Sequence, residues 1–271
     1  MLGGTVLDLL SQEHLDVLAT SRRPDAAIRF AVDVDMVKKS ERLLQSTDPD
    51  YVINCIGIIR PGDEPDSIRD TFMVNSRFPQ VLSALCQKRG ARLIHISTDG
   101  VFSGQKGRYR EDDIPDDHSV YGVSKFLGES QSLPHVTLRT SIVGYERNQQ
   151  RNLLNRFLSN QQRKIFGYAN VYWNGVTTIT LAKIISKIIT EDLTFTKPLL
   201  HIASTRVSKY ELLQYFKDAF HKDIVIVKCR EPRSDRTLVP SVEQSQYFKD
   251  LILPLKTQIS ELNAAYGQAD K

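Results

Sequence analysis

Apolar positions along the chain come in two alternating textures. Nearly unbroken apolar runs at residues 16–20, 28–34, 51–57, 92–98 and 136–143 predict short strands. Before and between them, residues 2–10, 36–45, 67–88 and 120–131 carry apolar positions at helical spacing. Strands that are apolar throughout, rather than at every second position, belong to a parallel sheet covered on both faces. With a helix between successive strands, the crossover rule makes this a right-handed, doubly wound α/β layer. Ligands bind such sheets past the carboxyl ends of the strands. Polar residues stand there: Ser21 and Arg22, Asp33, residues 55–57, Thr98 and Asp99, Thr140 and Ser141.

The opening of the chain departs from this scheme. A Rossmann-like sheet begins with a strand and a glycine-rich turn into the first helix. Here Gly3 and Gly4 read as the close of that turn, with the first strand and the earlier glycines missing, so a truncated start is expected. After the polar stretch 144–150 the pattern is less regular. Helical spacing at 180–189 and 208–220, and apolar runs at 199–203 and 224–227, predict a smaller α/β lobe. The expected division is a Rossmann domain over 1–145 and a substrate-binding lobe over 146–271.

Composition narrows the function classes. The apolar runs are too short to span a bilayer and no secretory signal is evident, so a cytoplasmic protein with no membrane partner is expected. Cys55, Cys86 and Cys229 are widely spaced and without a CxxC pair, which argues against a disulfide framework or a zinc site. The net charge of +4 is too mild and too interleaved with acidic residues to make a nucleic-acid stripe.

Tyr121 and Lys125 lie four residues apart in a predicted helix, on one face. A phenol titrates near ~10 in water, and a neighbouring cation favours its ionised form. Such a pair can exchange a proton with a hydroxyl or ketone while hydride moves to or from a nicotinamide. Thr98, at the end of the 92–98 strand, can hold the same substrate oxygen. An exposed helix pair and a strand-end cap are the plainer readings of these residues.

The motifs in order are Ser97-Thr98-Asp99-x-Val101-Phe102-x-Gly104, Tyr109-x-Glu111-Asp112, Pro115, Tyr121-Gly122-x-Ser124-Lys125-x-x-Gly128-Glu129 and Leu138-Arg139-Thr140-Ser141. Together they resemble dTDP-4-dehydrorhamnose reductase and its relatives, extended short-chain dehydrogenases that reduce a 4-keto sugar nucleotide. The resemblance implies Thr98, Tyr121 and Lys125 as the catalytic triad. For the cofactor it implies Gly3 in the phosphate turn, Asp33 and Val34 beside the adenine, Cys55, Ile56 and Gly57 in the loop along the dinucleotide, Asn75 on the following helix, and Thr140 near the nicotinamide. Tyr121 and Lys125 touch the cofactor as well. Arg22 and Arg23, after the second strand, favour NADP over NAD. The substrate side is expected at Val101, Phe102, Trp173 and Asn174, the last two in a dense polar-aromatic segment.

Gly100 stands where rhamnose-type reductases often carry tyrosine and where 4,6-dehydratases place a catalytic glutamate, which counts against a dehydratase. The resemblance thus implies an NAD(P)H-dependent reductase of polysaccharide biosynthesis acting on a keto sugar nucleotide, with a homodimer compatible. A sugar-nucleotide epimerase and a non-catalytic, cofactor-binding regulatory subunit are the alternatives.

Overall fold

The computed structural model of the protein describes residues 1–13, 15–21, 30–31, 36–129, 132–146 and 152–266. The first half contains α1 (Leu2–Gln12), β1 (Thr20–Ser21), β2 (Phe30–Ala31), α2 (Met36–Thr47) and β3 (Tyr51–Asn54). Then α3 (Pro65–Phe72) runs through a π-helical turn, Met73–Arg77, into α4 (Phe78–Arg89). β4 (Arg92–Thr98), α5 (Val120–Leu127), β5 (Val136–Thr140) and β6 (Ile142–Val143) follow. The remainder is α6 (Leu153–Leu158), β7 (Lys164–Tyr168), β8 (Val171–Trp173), β9 (Val176–Thr177), α7 (Thr178–Thr190), β10 (Leu199–His201), β11 (Val207–Ser208), α8 (Lys209–Ala219), β12 (Val225–Cys229), β13 (Ser234–Asp235), α9 (Val242–Tyr247) and α10 (Leu255–Tyr266).

Four parallel strands in the order β10–β5–β4–β3 form the main sheet, and β1 and β2 form a separate parallel pair. Both faces of the sheet are covered, as the side chains of β4 show. Leu93 enters a core with Leu44 of α2 and Phe78, Leu82 and Cys86 of α4. Its neighbour Ile94 enters the opposite core, with Leu2, Val6 and Leu10 of α1 and the apolar residues of α7. Successive strand residues point to opposite faces, so this alternation is the doubly wound arrangement expected from sequence.

A smaller lobe stands beyond the carboxyl ends of these strands. Its short sheets, β11–β8–β13 and β12–β7, share a core with α6, α8 and α10 through Trp173, Leu212, Phe216, Ile226 and Ile259. Ser208 and Glu211 close a reciprocal capping box at the start of α8.

The structure differs from the sequence expectation at three places. Residues 178–201, expected in the second lobe, return to the first: β10 extends the main sheet beside β5, and α7 lies over it against α1. Leu181, Ala182, Ile184, Ile185 and Ile188 are all fully buried, and only a helix enclosed by sheet and second helix can bury so many faces. The strand predicted over 51–57 stops at Asn54, whose Oδ1 accepts the Ile56 N–H at 3.1 Å and turns the chain out of the sheet. Of residues 16–20 only Thr20 is in a strand, because β2 opposes only Thr20 and Ser21.

Candidate active site

The last turn of β4 and the first turns of α5 meet at the carboxyl edge of the main sheet. Thr98 ends β4, and its hydroxyl accepts the Gly100 N–H at 3.0 Å, starting the tight turn Asp99–Val101. Ser119 caps α5, accepting the Gly122 N–H at 3.1 Å, so Tyr121 falls in the first turn and Lys125 one turn on. The Tyr121 ring lies across Gly100: a Cβ there would stand 3.0 Å from the ring's Cε1 and 3.2 Å from Thr98 Oγ1. The missing side chain is what lets the phenol ring lie beside Thr98.

Lys125 reaches the same strand two residues earlier, donating from Nζ to the Ile96 carbonyl at 2.7 Å. Burial pulls its pKa down to about 8, against the opposing pull of Glu129 and Cys55. The expected lowering of the phenol pKa is not realised. Burial pushes Tyr121 up to about 12; the Thr98 hydrogen bond and Arg236 pull the other way, and Asp99 adds to the rise. The cost of desolvating a phenolate exceeds those aids.

Of the residues expected along a dinucleotide, Gly3 lies beside Cys55, and Gly57 beside Asn75 and Lys125. Gly3 and Gly4, at the amino end of α1, are exposed, as are Ile56 and Gly57 after β3. A Cβ on Gly3 would lie 3.6 Å from that of Cys55. A Cβ on Gly57 would lie 3.4 Å from Asn75 Oδ1 and 4.0 Å from Lys125 Nζ. Asn75, fully buried, clamps this loop: Oδ1 accepts the Ile58 N–H at 2.8 Å, and Nδ2 donates to the Ile58 carbonyl at 2.9 Å and to Ser124 Oγ at 3.0 Å. Burial pushes the Cys55 thiol up to about 12, so it is a packing group here rather than a nucleophile. A helix amino end with side-chain-free glycines favours phosphate, and an ammonium facing Gly57 suits sugar hydroxyls. These residues fit a dinucleotide. Thr140, opposite Thr98 in the β4–β5 register, is buried. Arg22, Arg23, Asp33 and Val34 lie outside the described residues.

On the substrate side two expectations need correction. Val101 and Phe102 are fully buried, Phe102 stacked on Tyr109 with ring centroids 4.0 Å apart and under the Arg139 guanidinium at 5.0 Å. They pack a core and offer no surface to a ligand. Asn174 gives one donor and one acceptor site of its amide to Leu238, donating to its carbonyl at 2.8 Å and accepting its N–H at 3.0 Å, and so braces the chain that follows β13. Trp173 is buried in the second-lobe core and donates from Nε1 to Ser141 Oγ at 2.8 Å.

Three charged residues given no site role from sequence also act on the site. Burial raises the Asp99 pKa, opposed by Lys209, Arg236 and hydrogen bonds from Ser141 and Thr98. Lys209, the first residue of α8, lies over the Trp173 ring at 5.1 Å. Burial brings its pKa down to about 8, with Asp99 opposing. Arg236 donates from Nη2 to Asp117 at 3.0 Å, and its buried Nε has no partner among the described residues. The position of Lys209 just after a Ser-x-x-Glu cap was a visible signal; Arg236 had none.

The chain can now be set beside known proteins. A dTDP-4-keto-6-deoxy-D-glucose reductase from Streptomyces niveus is 31% identical over 134 residues, covering 49% of this chain and 44% of the relative. The aligned stretch therefore spans less than half of that relative. Among solved structures, a dTDP-4-dehydrorhamnose reductase from Clostridium acetobutylicum superposes with a TM-score of 0.81 at 19% identity, covering 98% of this chain and 96% of that one. Another, from Bacillus anthracis in complex with NADP, gives 0.80 at 18% identity over 97% and 95% of the two chains. These likenesses show the Rossmann-like fold. The family described as RmlD substrate binding domain matches residues 1–260, and the chain belongs to that family.

Proposed function

We propose that the protein is an NAD(P)H-dependent reductase of a keto sugar nucleotide. The observation that carries this reading is the convergence of the Tyr121 phenol, the Thr98 hydroxyl and the Lys125 ammonium on the last three residues of β4. A bound reduced nicotinamide would supply the hydride. Tyr121, with its pKa near about 12, is protonated at neutral pH and is the acid that delivers a proton to the developing alkoxide. Thr98 holds the phenol in place. Gly3, Ile56, Gly57, Lys125 and the Asn75-clamped loop would hold the dinucleotide, and burial of Lys125 removes competing water.

Lys209 and Arg236 give the far wall of the site positive charge, which suits the diphosphate of a sugar nucleotide. Trp173, buried beneath Lys209, backs that wall. NADP is preferred over NAD because Arg22 and Arg23 come directly after β1 in the sequence, where a basic residue suits a 2′-phosphate. The relatives' names in 4-keto-6-deoxy sugar chemistry support a substrate of that class. Three free cysteines suit a reducing cytoplasm.

The test is oxidation of NADPH by the purified protein with a panel of 4-keto-6-deoxy sugar nucleotides. Consumption that is lost in Tyr121→Phe supports the proposal. Sugar interconversion without net NADPH loss would make the protein an epimerase. Cofactor binding without turnover on any member of the panel would make it a regulatory subunit.

A further inference from the structure

β7 and β12 form a parallel pair laid over α8 of the second lobe. The bonds at its two ends fix which way each backbone group points. The Val225 N–H donates to the Arg163 carbonyl at 2.8 Å, and the Ala169 N–H donates to the Cys229 carbonyl at 2.7 Å. Backbone groups alternate between the two edges of a strand. Residues 163, 165, 167 and 169 therefore bond toward β12, and the N–H and C=O groups of Lys164, Phe166 and Tyr168 point the other way. Among the described residues β12 is the only strand paired with β7, so this edge is open. The side chains agree. Gly167 faces inward, where a Cβ would stand 2.9 Å from the Tyr210 Cα of α8. Lys164, Phe166 and Tyr168 face outward and are exposed. Phe166 is 63% exposed, and Val225, level with Lys164 on β12, is 59% exposed. An open edge bordered by exposed apolar side chains is a template for another strand.

The pattern of the edge identifies that strand. Antiparallel pairing with a second copy, centred on Phe166, sets Phe166 against its counterpart and Lys164 against Tyr168. In that register each outward N–H and C=O of one copy meets its complement on the other. Charge fits as well. Arg163 and Lys164 make one end of the edge basic. The other end borders a cleft lined by Phe166, Tyr168, Cys229, Glu231 and Pro232. Glu231 pairs with Arg233 at 3.2 Å, but both side chains are exposed. Such surface pairs are weak, so the carboxylate is free to meet a lysine of the second copy. Parallel pairing in register would set Lys164 against Lys164, which repels. The lysine thus admits a closed two-fold pair and rejects open stacking.

We propose that β7 is a dimerisation edge: two copies of the chain join β7 to β7, antiparallel about Phe166, so that their strand pairs become one continuous sheet. The contact is isologous, as a two-fold axis requires. One short strand from each copy makes a small interface, so the dimer is reversible on dilution. The inference uses no residue of the catalytic site and stands independently of the reductase reading.

Sedimentation velocity of the full chain across a dilution series is the test. The parent should pass from monomer to dimer as concentration rises; a monomer at every concentration up to about millimolar overturns the proposal. The Phe166 N–H points away from β12, so Phe166→Pro removes an edge donor and leaves the β7–β12 bonds in place. It should raise the dimer dissociation constant about tenfold or more. An unchanged constant places the contact elsewhere and overturns the proposal. Lys164→Glu sets a carboxylate against Tyr168 and Glu231 of the second copy and should weaken the dimer; adding Tyr168→Lys should restore it. A double variant no tighter than Lys164→Glu overturns the antiparallel register. This charge exchange decides the matter by itself if Phe166→Pro fails to fold. A parent that stays monomeric yet binds an unrelated strand-forming peptide at this edge assigns the edge to another partner and overturns self-pairing.

Discussion

Glu129→Gln tests how the buried charge beneath the site supports both fold and chemistry. The Glu129 carboxylate accepts from Ser97 Oγ at 2.7 Å, from Arg139 Nε at 2.9 Å and from Arg139 Nη2 at 2.6 Å. The ion-paired side chains are 3% and 2% exposed, so solvent cannot replace either partner. Arg139 Nη1 is shared with His201 Nε2 at 3.0 Å; burial, with Arg139 adding, brings the His201 pKa down to about 3, so this ring supplies no compensating charge. The amide variant therefore leaves a buried guanidinium without its anion. Breaking such a pair costs about 3–5 kcal/mol, and at roughly 2–4 °C per kcal/mol for a chain of this size the melting temperature should fall by about 6–20 °C. A functional effect accompanies it. Glu129 opposes the burial of Lys125, so its loss should move the lysine pKa below about 8. Calorimetry and a pH profile of turnover read the two effects. A melting temperature within about 2 °C of the parent, with an unmoved alkaline limb, would refute this reasoning.

Lys125→Met should abolish turnover yet raise stability by about 1–3 kcal/mol at neutral pH, since the folded chain holds that proton less tightly than the unfolded one. The sign makes the gain largest below pH 8 and lets it fade as pH rises from about 8 to 10.5, which thermal melts across that window would show. Reduction should lose its rate as pH rises through about 8, where Lys125 gives up its charge in the free protein; a limb above pH 10 would contradict that assignment. Gly100→Ala places a methyl 3.0 Å from the Tyr121 ring and should cut kcat about tenfold or more with cofactor affinity kept, as turnover and fluorescence titration together would show. Asn75→Ala removes three hydrogen bonds from a buried position and should cost about 2–3 kcal/mol in denaturant melts while weakening dinucleotide binding.

Much of the architecture was legible because it depends on local pattern. Unbroken apolar strands and amphipathic helices announce a covered parallel sheet. Tyr121 and Lys125, one helical turn apart, announce a shared face, and Thr98 announces a strand end. The rest depends on long-range contacts that no spacing reveals. Lys209 influences the charge of Asp99 only because the fold carries the start of α8 to this side of the site. Phe102 looks like a ligand-facing aromatic until Tyr109 and Arg139 close over it. Nothing in the spacing around Asn174 shows that Leu238 engages one donor and one acceptor of its amide. The helix and strand of 178–201 read as second-lobe elements because sequence order shows nothing of a return to the first sheet. The phenol pKa moved opposite to expectation because burial, invisible in a motif, outweighs its charged neighbours.

Oxidation of reduced nicotinamide by purified protein, followed by absorbance with a 4-keto-6-deoxy sugar nucleotide present, decides whether Thr98, Tyr121 and Lys125 form a reductase centre. Substrate-dependent oxidation in the parent, at least about a hundredfold slower in a Tyr121→Phe variant that still binds the dinucleotide, is the expected result. Equal rates in parent and variant would contradict it.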